Sequence, residues 1–283
     1  MIRVDGSTRV YAVIGHPVAH SLSPRMQNAA FEAAGRDAVY VAFDVSPADL
    51  AAALEGLHRA GVAGLNVTLP HKEAAARSCA ALTEEARGAG AANTLLREGE
   101  SWRGHATDGQ GFKAWVSELG LPIAGARVLL LGAGGAAASI APVLAGLGAG
   151  AVCVVGRNGG RAQALVARLR LAGVTGIDLS ARPVGDGGAV KRSAPFDLLV
   201  RAVSSETPDA AEAAWWGALG AGAPVLDLNY AERAAPTRER AVRSGHRFED
   251  GLGLLLHQGV LSYEFWTGER APIEAMRRAL HSP

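Results

Sequence analysis

The sequence predicts an α/β protein with two domains, and three observations lead to this class. The chain has 283 residues, which is enough for two ordinary domains. Short apolar strands alternate with helical stretches, and this alternation places helices on the faces of a mostly parallel sheet. A second alternating series begins at a glycine-rich turn near residue 132. The 49% of hydrophobic residues fits a protein with well-buried cores.

Composition restricts the partners and the compartment. A net charge of +1 gives no electrostatic attraction for nucleic acid or for an anionic membrane. Cys79 and Cys153 lie far apart and show no metal-type spacing. We therefore expect no disulfide framework and no metal, and we expect a reducing cytoplasm. The N-terminus lacks the basic and apolar regions of a signal peptide.

One uncharged run, 128–156, is long enough to cross a membrane. Glycines interrupt it repeatedly, and Pro142 lies inside it. A buried strand, a glycine turn, a helix and a second strand explain the run better than a membrane span does.

The first third of the chain contains three predicted strands with helical stretches between them. Pro24 fits the first turn of the first helix, with Ser23 as its N-cap. Ser46 and Pro47 open the second helix. The predicted strands are 11–14, 39–45 and 64–67, and the first two helices end near residues 34 and 60.

The third strand runs into a Thr68-Leu69-Pro70 turn that delivers Lys72 to the start of a helix. Helix starts disfavour cations, so a lysine at this position needs a reason. Pro70 fixes its own backbone and biases Leu69 towards an extended form, which makes the turn rigid. A rigid loop at the carboxyl end of a strand is where open α/β sheets bind ligands. The alternative is an exposed lysine after an ordinary turn.

The second series begins after a helical stretch, 108–119, that we expect to cross between the domains. Strand 127–131 leads directly into a helix through a Gly-x-Gly-x-x-Ala turn, the setting in which this pattern binds dinucleotides. Its glycines permit the tight turn and the approach of a pyrophosphate to the helix N-terminus. A simple packing turn is the alternative. The residues are Gly132, Ala133, Gly134, Gly135, Ala136 and Ala137.

The next strand, 151–155, should end near the adenosine ribose of such a cofactor. Arg157 and Asn158 follow it, and Arg161 lies one turn further on, where an NAD-binding protein usually has a carboxylate. Guanidinium groups complement a 2′-phosphate, which a carboxylate would repel. The sequence therefore favours NADP over NAD, with arginines that only cap a polar loop as the alternative.

Four further segments carry polar residues suited to a small anionic ligand. Ser21 and Ser23 precede a helix start and could donate to a carboxylate, although Ser23 is equally suited to capping. Asn93 lies between small residues, and Asp108 lies at a helix N-terminus, where a simple cap is the alternative. Gln258 places an amide on an otherwise apolar helix.

Together these segments resemble the shikimate dehydrogenase family, in order from Gly15-His16-Pro17 to the segment 263–268. The resemblance implies reversible, NADP-dependent reduction of 3-dehydroshikimate to shikimate. It also implies a substrate domain of residues 1–107 plus 251–283 and a Rossmann-type NADP domain of residues 108–250, with the active site in the cleft.

The resemblance also assigns roles to individual residues. Lys72 and Asp108 become the catalytic pair and contact the substrate. At the substrate carboxylate the resemblance places Ser21, Ser23 and Tyr230, and at the substrate hydroxyls it places Thr68, Asn93 and Gln258. At the cofactor it adds Val203 and Gly251 to the glycine turn and to the segment with Arg157, Asn158 and Arg161.

This chain departs from the family pattern at three places. One loop borders the nicotinamide in the family, where it carries Asn, Thr, Gly and Met. At the corresponding positions this chain has Arg201, Val203, Glu206 and Thr207, respectively. Ala106 replaces an Asn, and Ala231 replaces the proline after Tyr230.

These departures leave two alternatives open. One is a paralogue that acts on quinate, an aminoshikimate or a related cyclic polyol acid with NAD or NADP. The other is a ligand-binding or regulatory homologue. A monomer and a homodimer both remain compatible with the sequence.

Overall fold

The computed structural model describes residues 4–186, 194–205 and 210–281. The chain divides into two compact units, Met1–Gly111 with Leu255–Pro283, and Phe112–Leu254. Both boundaries lie four residues beyond those predicted, at residues 111/112 instead of 107/108 and 254/255 instead of 250/251. At the first boundary the reason is physical, because Asp108 and Gly111 contact side chains and backbone of the first unit.

The first unit contains a six-stranded sheet in the order β2-β1-β3-β5-β6-β4. Its elements are β1 (Arg9–Gly15), α1 (Ser23–Ala33), β2 (Ala38–Asp44), α2 (Leu50–Arg59), β3 (Gly64–Val67), α3 (Lys72–Ser78), β4 (Ala81–Leu82), α4 (Glu84–Ala89), β5 (Thr94–Glu98), β6 (Ser101–His105) and the start of α5 (Asp108–Glu118). The end of the chain adds most of α10 (Leu252–Thr267) and α11 (Ile273–His281).

Parallel pairing in this sheet is interrupted by one hairpin. Strand β1 pairs in parallel with β2 and β3, whereas β3–β5 and β5–β6 are antiparallel. Gly99 makes the tight turn between β5 and β6 with a positive φ of 57°, which glycine adopts readily. This hairpin is not among the elements predicted from the sequence.

The second unit contains a six-stranded, fully parallel sheet in the order β12-β11-β10-β7-β8-β9. Numbered within the unit, this is the order 3-2-1-4-5-6 of the Rossmann fold, which confirms the predicted class. Its elements are β7 (Arg127–Leu131), α6 (Gly135–Gly146), β8 (Ala151–Gly156), α7 (Gly159–Leu171), β9 (Asp178–Pro183), β10 (Leu198–Arg201), α8 (Ala210–Trp216), β11 (Val225–Asp227), α9 (Ala235–Arg243) and β12 (Phe248–Glu249).

The uncharged run forms β7, the glycine turn, α6 and β8, as predicted. Within the described parts of the chain, no helix is long and apolar enough to cross a membrane. The prediction of Ser23 as an N-cap was wrong. Leu22 is the N-cap of α1, and Ser23 is its first residue, whose backbone N–H donates to Oγ of Ser21.

Helix α10, the last helix but one, packs directly on the sheet of the first unit. The indole of Trp266 lies against Gly64 in β3, and its Nε1 donates to the carbonyl of Leu95 at 2.9 Å. The same indole contacts the ring of Tyr11, with centroids 5.2 Å apart. Residues from the end of the chain therefore complete the core of a unit that begins at its start.

We predict that Gly64→Ala destabilises the protein, because the new Cβ would lie 2.6 Å from the indole of Trp266. Overpacking of this kind costs about 1–3 kcal/mol. Gly56→Ala is the matched control. Gly56 lies in α2 with nothing within 4 Å of an added Cβ, so alanine there should stabilise by about 1 kcal/mol. Urea denaturation measures both changes, and a Gly64→Ala variant as stable as the parent protein contradicts the packing described.

Candidate active site and cofactor site

The turn that carries Lys72 is fixed to the end of β1. The Thr68 N–H donates to the carbonyl of Ile14 at 2.9 Å, and the His16 N–H donates to the carbonyl of Leu69 at 3.0 Å. Gly15 has no room for a side chain, because a Cβ would collide with the Thr68 methyl group. The turn is therefore rigid, as the sequence indicates.

Contacts with two neighbouring segments, at Val45 and at Ala92, hold the start of α3. His71 is buried, and its Nε2 donates to the carbonyl of Val45 at 2.7 Å. The carbonyl of Lys72 accepts from the Ala92 N–H at 2.9 Å. The backbone of Lys72 is thus anchored from two directions.

Lys72 points into a buried ion pair. Its Nζ lies 2.5 Å from Oδ2 of Asp108, and the two side chains are 13% and 7% exposed. An exposed lysine was the alternative interpretation of the sequence, and these values exclude it. Asp108 is the first residue of α5, where the helix dipole favours a carboxylate.

Asn93 joins the ion pair to the rest of the site. Its Nδ2 donates to Oδ1 of Asp108 at 2.9 Å, to Oγ1 of Thr107 at 2.8 Å and to Oε1 of Gln258 at 3.3 Å. Its Oδ1 accepts from the Thr107 N–H at 2.7 Å. The structure thus brings Lys72, Asn93, Asp108 and Gln258 into one hydrogen-bonded cluster, which we call the lysine cluster.

A second layer of buried polar side chains supports the lysine cluster. Nδ2 of Asn66 donates to the Asn93 carbonyl at 3.0 Å and to Oγ of Ser262 at 2.9 Å, and its Oδ1 accepts from Tyr40 at 2.7 Å. Ser262 Oγ donates to the Gln258 carbonyl at 2.9 Å. Tyr40, Asn66 and Ser262 are not among the site residues predicted from the sequence. The sequence signal that could have identified them is a polar residue inside an apolar segment.

Gly111 sets the distance between α5 and α10. A Cβ at this position would lie 2.7 Å from the backbone nitrogen of Gln258. Only glycine permits this approach, and the approach brings the first turn of α5, with Asp108, beside Gln258.

The other predicted substrate residues are less closely joined. Ser21 and Ser23 lie at the start of α1, and Gln27 of the same helix donates to the carbonyl of Gly259, next to Gln258, at 2.9 Å. Thr68 lies half-buried in the turn before Lys72. Tyr230 belongs to the second unit, where it precedes the 3₁₀ helix Ala231–Ala234.

The glycine turn has the geometry of an anion site. Gly132 has φ +122°, and a Cβ there would collide with the carbonyl of Ala202. Gly134 is the N-cap of α6, whose twelve residues begin at Gly135, and the first N–H groups of a helix attract anions. Ala137 is fully buried between helix and sheet. Ala133 and Ala136 are half-buried. These residues fit a pyrophosphate.

Arg157 and Arg161 are both exposed near the carboxyl end of β8. Asn158 between them is the N-cap of α7, and its side chain accepts from the Arg161 N–H at 3.3 Å. A capping role is therefore present for Asn158, while both guanidinium groups are accessible to a phosphate.

The two remaining cofactor candidates lie at neighbouring loops of the second unit. The Val203 carbonyl accepts from Nδ2 of Asn229 at 3.1 Å. The Gly251 N–H donates to the Asn229 carbonyl at 2.9 Å, and a Cβ on Gly251 would collide with the carbonyl of Leu228.

Three of the departures from the family pattern have a local physical reason, whereas nothing in the structure explains Val203. Arg201 is buried in ion pairs, and Ala106 packs in a small cluster with other alanines. Ala231 has φ +54°, a value that proline cannot adopt. Glu206 and Thr207 lie outside the described residues.

A Rossmann-type unit joined to an α/β unit that carries a buried lysine–aspartate pair defines a two-domain nucleotide-dependent oxidoreductase. Comparison with known proteins identifies the family. Three family models match: the shikimate dehydrogenase substrate binding domain at residues 13–95, shikimate / quinate 5-dehydrogenase at 116–209, and the shikimate 5′-dehydrogenase C-terminal domain at 251–281.

Individual relatives agree with these models along the whole chain. The shikimate dehydrogenase (NADP(+)) of Geobacter metallireducens is 42% identical over 278 residues, covering 97% of this chain and 96% of the relative. That of Moorella thermoacetica is 41% identical over 287 residues, covering 99% and 95%. The solved shikimate 5-dehydrogenase of Thermus thermophilus in complex with shikimate aligns with a TM-score of 0.80 at 32% identity, covering 96% and 97%. This chain belongs to the shikimate dehydrogenase family.

Across residues 4–186, 194–205 and 210–281, no group of three or more His, Cys, Asp or Glu side chains is arranged to hold a metal ion.

Proposed function

We propose that this chain catalyses the reversible, NADP-dependent reduction of 3-dehydroshikimate to shikimate. The observation that carries the proposal is the buried ion pair between Lys72 and Asp108, fixed by Asn93 beside Gln258. Lys72 and Asn93 lie within residues 13–95, which match the substrate binding domain of the family. We assign substrate binding to the first unit and NADP binding to the second.

The substrate is a small polyol acid, and the first unit offers donors of suitable chemistry. The hydroxyl groups of Ser21 and Ser23 would donate to its carboxylate, with Tyr230 at the same end. The amides of Asn93 and Gln258 can both donate and accept, which suits hydroxyl groups, and Thr68 adds a third contact.

Reduction of a ketone builds negative charge on its oxygen. The Lys72 ammonium would stabilise that charge and donate the proton that converts the oxygen into a hydroxyl group. In the oxidative direction, neutral Lys72 would accept the proton from the hydroxyl. Asp108 keeps Nζ in place, and Asn93 keeps Asp108 in place. NADPH, when bound, supplies the hydride.

The residues of the second unit fit that cofactor. The turn from Gly132 to Ala137 and the N-terminus of α6 would hold its pyrophosphate. Arg157 and Arg161 would hold the 2′-phosphate through charge-assisted hydrogen bonds. Asn158, Val203 and Gly251 would complete the contacts.

We further propose that the enzyme works in the cytoplasm as a monomer or a homodimer. Both cysteines, Cys79 and Cys153, are free thiols, which fits a reducing compartment. Light scattering on the purified protein distinguishes the two oligomeric states.

The direct test is nicotinamide absorbance with shikimate or quinate, each with NADP and with NAD. We expect the highest kcat/KM with shikimate and NADP. Quinate is the second candidate, because the model matched at residues 116–209 is that of a shikimate / quinate dehydrogenase. A preference for quinate, or binding of shikimate without turnover, contradicts the proposal.

We predict that Lys72→Ala lowers kcat on the order of 10²- to 10⁴-fold, the usual contribution of a general acid. The KM for shikimate should change far less, because Asn93 and Gln258 remain. Lys113→Ala is the matched control, since Lys113 is an exposed lysine on α5. Steady-state kinetics of both variants decides, and an unchanged kcat in Lys72→Ala excludes Lys72 as the proton donor.

We predict that Arg157→Ala lowers kcat/KM for NADP roughly 10- to 100-fold, the effect of losing a charged hydrogen bond. The kcat/KM for NAD serves as the internal control and should not fall, because NAD has no 2′-phosphate. Equal losses with both nucleotides would show that Arg157 acts on the fold and not on the phosphate.

A further inference from the structure

Arg201 is a fully buried cation at the carboxyl end of β10. Its Nε donates to Oε2 of Glu212 at 3.0 Å, and its Nη1 donates to Oδ2 of Asp227 at 3.2 Å. Its Nη2 donates to the carbonyl of Ser205 at 2.7 Å and to the Ser205 Oγ at 3.0 Å. One guanidinium thus joins α8, β11 and the loop that follows β10.

This loop, residues 202–205, is held at three successive carbonyl groups. The Val203 carbonyl accepts from Asn229, and the Ser204 carbonyl accepts from Arg233 at 3.0 Å. The Ser205 carbonyl accepts from Arg201. Three side chains, one at the end of β10 and two in the segment after β11, therefore fix the backbone of the loop.

Asp227 links two of these three contacts. Its Oδ2 accepts from Arg201, and its Oδ1 accepts from both the backbone N–H and the side chain of Asn229, each at 3.0 Å. Burial raises the pKa of the Asp227 carboxyl, and the Arg201 guanidinium opposes that shift. The Arg201 guanidinium is thus the positive charge paired with the buried Asp227 carboxyl.

The loop lies where a Rossmann sheet binds its nucleotide. The strand order reverses between β7 and β10, and ligands bind at the carboxyl ends of the strands at such a point. The Ala202 N–H donates to the carbonyl of Leu131 at 2.6 Å, and the Ala202 carbonyl covers Gly132 of the glycine turn. The 202–205 loop therefore forms one wall of the nucleotide site.

We propose that Arg201 is a positioning residue that fixes the 202–205 loop against the bound nicotinamide nucleotide through its ion pairs with Glu212 and Asp227. This inference rests on the proposed function, because it requires NADP as the ligand of the second unit. The affected group is the half of the nucleotide that binds beyond the switch point, on the side of β10.

Stability alone does not account for this arrangement. A buried ion pair is often no more stabilising than apolar side chains of similar volume. The geometry does require arginine, because its planar fork presents donors in three directions at once. A lysine at this position could pair with one carboxylate but could not also hold both acceptors of Ser205.

The test uses Arg201→Lys and Glu212→Gln in the full-length protein. Arg201→Lys keeps the charge and loses the fork, and Glu212→Gln keeps the shape and loses one charge. We expect kcat/KM for NADP to fall on the order of 10- to 100-fold, as small displacements of reacting groups do. The affinity for shikimate should stay unchanged. The primary deuterium isotope effect should rise, because hydride transfer becomes slower than product release.

Leu169→Val is the control for a loss of stability alone. Leu169 is buried on α7, which packs on β8 and β9. This variant should be less stable and keep the kinetics of the parent protein. If Arg201→Lys does not fold, Glu212→Gln, in which Arg201 keeps Asp227, carries the same readouts.

Two results overturn the inference. One is an unchanged isotope effect and unchanged kcat/KM in the folded variants. The other is a change no larger than that of Leu169→Val. NADPH fluorescence titration distinguishes a failure of this inference from a failure of the proposed function. Parent protein that binds NADPH but does not oxidise shikimate contradicts the function, and the loss of NADPH affinity in the variants then still decides the role of Arg201.

Discussion

The carboxamide of Asn93 is the contact on which the candidate active site depends. Asn93 is buried, and it bonds to the adjacent residues Thr107 and Asp108 and to Gln258 on α10. A buried polar group left without a partner costs about 1–3 kcal/mol, so the lowest-energy arrangement keeps all these groups together. Because Asp108 is held in this way, Lys72 is also held. The position of the Lys72 ammonium group thus depends on the hydrogen bonds of the Asn93 amide.

The same principle operates in the second unit with charges instead of amides. Asp227 has no exposed surface, and it is paired with Arg201 and Asn229. These groups hold a loop beside the glycine turn, where Gly132 lies under the Ala202 carbonyl. In both units, then, a buried polar cluster at the carboxyl ends of the strands fixes the residues assigned to chemistry. The apolar cores stabilise the two sheets, and the buried polar clusters fix the position of the backbone around the candidate sites.

Much of this could be predicted from the sequence wherever the signal is local. Strands β3 and β7 have the predicted bounds, because an apolar run followed by a turn is sufficient to define them. The β5–β6 hairpin was missed, although Gly99 marks its turn, because it interrupts an otherwise alternating pattern. Lys72 and Asp108 could be predicted as a pair only from the family resemblance. The partners Asn66 and Ser262 could not be predicted, because 196 residues separate them in sequence.

The discontinuity of the first unit has a consequence for how the chain is made. Gln258, Ser262 and Trp266 are synthesised after the whole second unit, yet they complete the core and the lysine cluster of the first. On a ribosome, domains generally fold in the order in which they emerge. In this chain the second unit is synthesised completely before the first unit, whose two segments flank it in sequence. During translation the first 111 residues must therefore remain unfinished, with the sheet surface around Gly64 uncovered, until the last helices emerge.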